Sequence, residues 1–144
     1  MKRLIIAAAM FVSLSAFAGA ETVNEKVLNA FNTEFTTASE VEWTISSGYF
    51  KASFGMNGQR VAAFYNTDGE LMGLTRNIRS SQLPVRLQTS LMKNYNIYWV
   101  SDLFEVSNTD GTSYYVTLEN GSKKIVLKSS TGNDWSSYKK DRKI

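Results

Sequence analysis

The chain of 144 residues has no cysteine, no histidine and a single proline. Each lack removes chemistry. Histidine is the usual general base, proton shuttle and metal ligand near neutral pH. Cysteine is the usual thiol nucleophile and soft metal ligand. A Ser-His-Asp triad, a Cys-His dyad, a zinc site built on cysteine or histidine, a haem held by histidine and any disulfide are therefore excluded within this chain. Charge of one sign is also sparse: 16 basic against 13 acidic residues leave +3, too weak a balance to expect a nucleic-acid partner.

Long apolar runs are few, and the longest one opens the chain. Lys2 and Arg3 precede an apolar stretch over residues 4–17, interrupted only by Ser13 and Ser15. It is shorter than the roughly 20 residues needed to span a bilayer. Ala16-Phe17-Ala18 and Ala18-Gly19-Ala20 both fit the small-x-small cleavage rule, so residues 1–20 are expected to be a signal peptide, cut after Gly19 or Ala20. The expected product, residues 21–144, is periplasmic or secreted and carries no transmembrane anchor. An exported domain without disulfides must rely on its own core. With Lys2 and Arg3 removed, the remaining positive excess sits at residues 139–143, where Lys139, Lys140, Arg142 and Lys143 surround Asp141. This basic tail is expected to be a frayed, solvated terminus.

The rest is read from periodicity. Thr22-x-x-Glu25 is a capping-box pattern, and Val27, Leu28, Phe31 and Phe35 follow on one helical face. After Ala38 the period becomes two: Val41, Trp43 and Ile45, then Phe50, Ala52 and Phe54, alternate with polar or less apolar residues. Asn57-Gly58 is a strong hairpin signal because both turn positions tolerate positive φ. A return strand over 59–66, a turn at Asp68-Gly69 and a fourth strand over 70–75 complete the first half. In the second half Pro84 suits the start of a helix, whose apolar face carries Leu83, Leu87 and Leu91. The register of 97–106 stays open, because Tyr98-Trp99-Val100 reads both ways. Strands over 114–119 and 123–128 follow, with a last short element around Trp135.

Asn57-Gly58 and Gly69 recur at one offset as Asn120-Gly121 and Gly132. The expected fold class is therefore α+β: a tandem repeat of helix plus antiparallel β-meander, over about 22–78 and 82–138. The tetrapeptide Asn-Thr-Asp-Gly also occurs twice, at 66–69 and 108–111, at a different offset, and is read as turn chemistry. Neither copy has the alternating carboxylates of a calcium loop.

Strand alternation assigns the other face. If Phe50, Ala52, Phe54, Ala62, Phe64, Tyr114, Val116, Leu118, Ile125 and Leu127 point to the helices, the open face receives Tyr49, Lys51, Ser53, Val61, Ala63, Tyr65, Tyr115, Thr117, Lys124, Val126 and Lys128. Tyrosine offers stiff contact area with a polar tip, which suits recognition. Tyr49, Lys51, Tyr65, Tyr115, Lys124 and Lys128 are the candidate binding residues. Catalytic signals are thin. Ser-x-x-Lys occurs at Ser90–Lys93, Ser136–Lys139 and Ser137–Lys140, but the Ser-Asp-Asn-like and Lys-Thr-Gly-like partners that penicillin-binding enzymes require are absent. The carboxylate pairs Glu40 with Glu42 and Asp102 with Glu105 stand beside no evident partner. No enzyme, metal or cofactor is expected.

Particular residues carry a family resemblance. Phe31-x-x-x-Phe35 is followed by Ala38, Val41 and Trp43, then by Tyr49-Phe50-Lys51-Ala52-Ser53-Phe54, Val61-x-x-Phe64 and Asp68-Gly69-x-Leu71. The second half supplies Leu83-Pro84, Tyr95 and Tyr114-Tyr115-Val116-x-Leu118 before Asn120-Gly121. In this order the stretches resemble the PepSY-like family of exported bacterial domains, also described as similar to a β-lactamase inhibitor protein. Thr36 departs from the family, which often has proline after the helix. The resemblance implies helices on one face of an antiparallel sheet, no catalytic residues and protein binding by the open sheet face. The expected function is a non-enzymatic exported module that recognises a protein or peptide, inhibitor-like in character. Binding of an envelope glycan or small ligand is the alternative.

Overall fold

A computed structural model describes residues 22–143; the expected signal peptide lies outside the described residues. The elements run α1 (Glu25–Glu34), β1 (Ser39–Ser46), β2 (Tyr49–Met56), β3 (Gln59–Tyr65), β4 (Leu71–Asn77), a short 3-10 turn (Ser80–Gln82), α2 (Val85–Asn94), β5 (Trp99–Asn108), β6 (Gly111–Glu119), β7 (Lys123–Ser129) and β8 (Ser136–Arg142). All eight strands form one antiparallel sheet in sequence order. The expected fold class is corrected here. The described residues are mostly β, with two α-helices of only ten residues each, and their sheet is single. The expectation of a tandem helix-plus-meander repeat fails because β4 pairs directly with β5, from Leu74–Ser107 to Asn77–Phe104. The intervening helix does not interrupt the ladder.

Local chemistry explains the element ends. Asn24, not Thr22, caps α1: its side chain accepts from Val27 N at 3.0 Å and donates to Thr67 O at 3.0 Å, which satisfies a free helix N–H. Asn66, Asn108 and Asn120 each fold the following turn back on a side-chain oxygen, accepting from Asp68, Asp110 and Ser122 N at 2.8–2.9 Å. This is the Asx-turn geometry that the repeated Asn-Thr-Asp-Gly suggested. The basic tail is likewise corrected. It forms β8, paired to β7, and Lys143 secures its end by donating to Asn120 O at 2.8 Å and to Glu119 Oε1 at 2.8 Å. That ion pair and Ser101 hold the Glu119 carboxyl below its ordinary value.

Directly paired residues of neighbouring strands share a face, so the registers fix both sides of the sheet. On the helix side, Ile45, Phe50 and Tyr65 form one row, and Trp43, Ala52, Ala63 and Leu74 form the next. These rows meet Val27, Phe31 and Phe35 in one apolar cluster. Phe31 touches Phe35, Trp43 and Phe54 at ring-centroid distances of 5.5, 5.2 and 5.1 Å. A second cluster joins Leu87 and Leu91 of α2 to Leu103, Val116, Leu118, Ile125 and Leu127. Between the clusters Arg76 Nε donates to Glu105 Oε1 at 2.9 Å and Arg76 Nη1 to Gln59 Oε1 at 3.2 Å.

One contact ties the turn before β4 to α1. Gly69 has φ +85°, and a Cβ there would lie 2.9 Å from Lys26 O, a backbone atom that cannot swing away. Gly69→Ala is therefore expected to destabilise by at least roughly 1–2 kcal/mol, the cost of a left-handed backbone alone. Equilibrium urea unfolding checks this, and Gly121→Ala, with open space around it, serves as the mild comparison.

Candidate functional site

Among the described residues no helix lies on the opposite face of the sheet, and its rows can be read from the same registers. Thr44, Lys51, Phe64 and Gly73 form one row. Ser53, Ala62, Thr75 and Val106 form the next, and Asn77, Phe104, Tyr115 and Lys128 a third. Two aromatic groups result. Tyr49 meets Phe64 at 5.9 Å, with Lys51 Nζ 5.8 Å from the Phe64 centroid. Phe104 stacks on Tyr115 at 5.1 Å and 11°, Tyr138 meets Tyr115 edge-on at 5.2 Å, and Lys128 Nζ lies 5.4 Å from the Tyr115 centroid. Each lysine over a ring contributes roughly 0.5–1 kcal/mol at such a partly exposed site. Between the groups lies a shallow depression of about 440 Å³, walled by Tyr49, Phe64, Met72, Thr75 and Val106, with Gly73 among the lining residues.

The structure brings together four of the six expected site residues in these two groups: Tyr49 with Lys51, and Tyr115 with Lys128. Lys124 shares the face but lies four residues along β7, opposite Glu119 and Asp141. Tyr65 is a correction. It is 1% exposed, pairs with Phe50 and meets Trp43 at 6.4 Å under α1. Val61 and Ala63 are buried with it, while Phe64, expected in the core, belongs to the open face. Strand β3 is apolar at both parities, so alternation cannot choose its face. The signal lay in the turn: a two-residue Asn57-Gly58 loop sets Met56 opposite Gln59, and counting outward puts Tyr65 opposite Phe50. Sequence reasoning does not reach Phe104 and Val106, because the register of 97–106 is open, or Tyr138, because no alternation marks the end of the second half as a strand.

The catalytic signals do not converge. The Ser90 hydroxyl accepts from Asn94 Nδ2 at 3.3 Å; among the described residues Lys93 makes no hydrogen bond to it. Asp102 and Glu105 lie on opposite faces of β5, since Glu105 pairs with Tyr114 on the helix side and Asp102 with Thr117 on the open side. Burial raises the Tyr114 hydroxyl above its ordinary value, assisted by Glu105. Among the described residues no group of three or more acidic side chains is arranged to hold a metal ion, and no helix is long and apolar enough to cross a membrane.

The fold has known counterparts. A BLIP-like protein from Bacteroides fragilis (BLIP being a β-lactamase inhibitor protein) is similar with a TM-score of 0.72 and 20% identity, over 86% of this chain and 89% of that one. A protein from Bacteroides eggerthii, provisionally described as periplasmic, has a TM-score of 0.72 and 14% identity over 85% and 90% of the two chains. A DUF2874 family protein from Bacteroides ovatus has a TM-score of 0.73 and 17% identity over 85% and 89%. At these identities the likeness is one of fold, and the fold is BLIP-like; it does not single out the PepSY-like part of the resemblance. No family model matches the chain, and no curated protein matches it.

Tyr65 has a measurable signature. Its hydroxyl is buried without a hydrogen-bond partner among the described residues. Burial, with the Glu34 carboxylate as a lesser cause, pushes it up to about 12 from 10.0. Between those values the unfolded chain releases a proton that the folded chain keeps, so stability falls as pH rises, by about 2–3 kcal/mol at the upper end. Tyr65→Phe removes both effects. It is expected to be neutral or stabilising by about 1 kcal/mol at pH 7 and to flatten the alkaline loss between pH 10 and 12. Urea unfolding across that pH range decides it; a clear destabilisation at pH 7 contradicts the assignment.

Proposed function

We propose that this BLIP-like chain is a non-enzymatic exported module, directed to the periplasm by residues 1–20, that binds a protein or peptide through the open face of its sheet. The observation that carries this reading is the pair of lysine-capped aromatic groups on the helix-free side, Tyr49–Phe64–Lys51 and Phe104–Tyr115–Lys128. Half-buried aromatic rings held stiffly by cross-strand neighbours give contact area at little entropic cost, the composition of interface hot spots. Val106, Met72 and Thr75 between them make the surface continuous rather than two islands. The likeness to a BLIP-like protein supports an inhibitor-like mode, in which the sheet face docks on a folded partner. The likeness to a protein provisionally described as periplasmic, and the positively charged start, apolar run and small-residue cleavage sites of residues 1–20, support the compartment.

The triple variant Tyr49→Ala, Phe64→Ala, Tyr115→Ala is expected to stay folded, because none of the three belongs to either apolar core. With hot spots worth about 2 kcal/mol each, it should weaken partner binding at least about thirtyfold. The measurement is quantitative capture of partners from the envelope fraction of the source cells, with circular dichroism and thermal unfolding as controls. Recovery of the same proteins at the same level by wild type and a folded triple variant would falsify the reading.

A further inference from the structure

The charges of the open face are unevenly satisfied. Glu119 is held by Lys143 at 2.8 Å, and Asp141 lies 3.8 Å from Lys139. Asp102 accepts from Asn77 Nδ2 at 3.1 Å and from Leu103 N at 3.0 Å. Lys51 and Lys128 have only ring faces beneath them, and among the described residues neither has a carboxylate within 4.0 Å. Glu42, on the edge strand one row from Lys51, makes no ion pair with it. A ring face attracts an ammonium group without neutralising it, so the charge of both lysines stays uncompensated. The two lysines stand on β2 and β7, five strand steps apart, or about 24 Å at the usual spacing of about 4.8 Å. The carbon-lined depression beside Gly73 lies between them.

From this arrangement we propose that the partner is acidic: a protein segment that seats an apolar side chain in the depression beside Gly73 and brings carboxylates to Lys51 and Lys128. The inference rests on the reading of the open face as a protein-binding surface and adds the chemistry of what it selects. Charge complementarity carries it. A basic partner would meet two unshielded ammonium groups, and a neutral apolar one would leave both without an anion. Opposite charges flanking an apolar anchor accelerate encounter and fix register, and their contribution weakens with salt.

The test uses residues 21–144 and a random peptide library displayed on phage, selected at low salt. The expected result is enrichment of peptides rich in Asp and Glu around at least one aromatic or large aliphatic residue. For the best such peptide, synthesised with a fluorescent label, Lys51→Gln with Lys128→Gln should weaken binding at least tenfold in fluorescence anisotropy and reduce its salt dependence. Arg86→Gln, on α2 and away from the open face, should leave binding unchanged. Enrichment of basic or uncharged peptides overturns the inference, as does full binding by the double lysine variant. If that variant binds while the aromatic triple variant does not, the acidic preference is wrong and the protein-binding surface stands. If no peptide is enriched and an anionic polysaccharide such as heparin binds instead, with the same lysine dependence, both readings fall.

Discussion

The pairing of β4 with β5 is the shortest ladder of the sheet, running only from Leu74–Ser107 to Asn77–Phe104, yet the architecture depends on it. It turns eight strands into one surface. Without it β4 and β5 would be edge strands with unpaired backbone groups, templates for pairing with other chains. The Arg76–Glu105 ion pair crosses this seam on the helix side, with the two side chains 41% and 18% exposed. At that exposure it contributes roughly 0–1 kcal/mol, so its main effect is on register. A slip by one residue would carry Arg76 to the other face and leave Glu105 facing the cores without its partner.

A single sheet with both helices on one side has a second consequence. The apolar residues of α1 and α2 consume one face, where the aromatic cluster around Phe31 and the aliphatic cluster around Leu87 bury the side chains that hold the fold. The opposite face is left with side chains that must cover one another. Tyr49 against Phe64 and Phe104 against Tyr115 do so without being sealed from water, and lysines lie across their rings. A surface of this kind leaves apolar area partly open to solvent on the side that the two helices do not cover. The groups with shifted titration, Tyr65, Arg76, Tyr114 and Glu119, are explained by core burial, by the Arg76–Glu105 pair and by the anchoring of β8, and none lines the depression.

Individual residues show how much was legible beforehand. Most elements were, because the change of period after Ala38 and the Asn-Gly and Asp-Gly turns are local signals. Positions with one apolar parity, such as Phe50, Ala52, Phe54, Val116 and Leu118, fell on the expected face. Strand β3 did not, since Val61, Ala62, Ala63, Phe64 and Tyr65 are apolar at both parities and alternation is silent there. Tyr65 was therefore expected on the open face and Phe64 in the core, and the reverse holds. The β8 segment, with Lys139, Lys140 and Arg142, looks like a tail because its strand character comes from β7 and from the Lys143 contacts, which no local pattern encodes.

The lack of histidine and cysteine excludes whole chemistries before any folding, and short-range periodicity and turn residues set the order and approximate extent of most helices and strands. The tertiary structure alone decided that the strands make one sheet, that β8 completes it, and which residues face outward. Those outcomes depend on hydrogen-bond registers between segments far apart in the chain. Where both parities are apolar, only pairing across strands distinguishes a core side chain from a surface one.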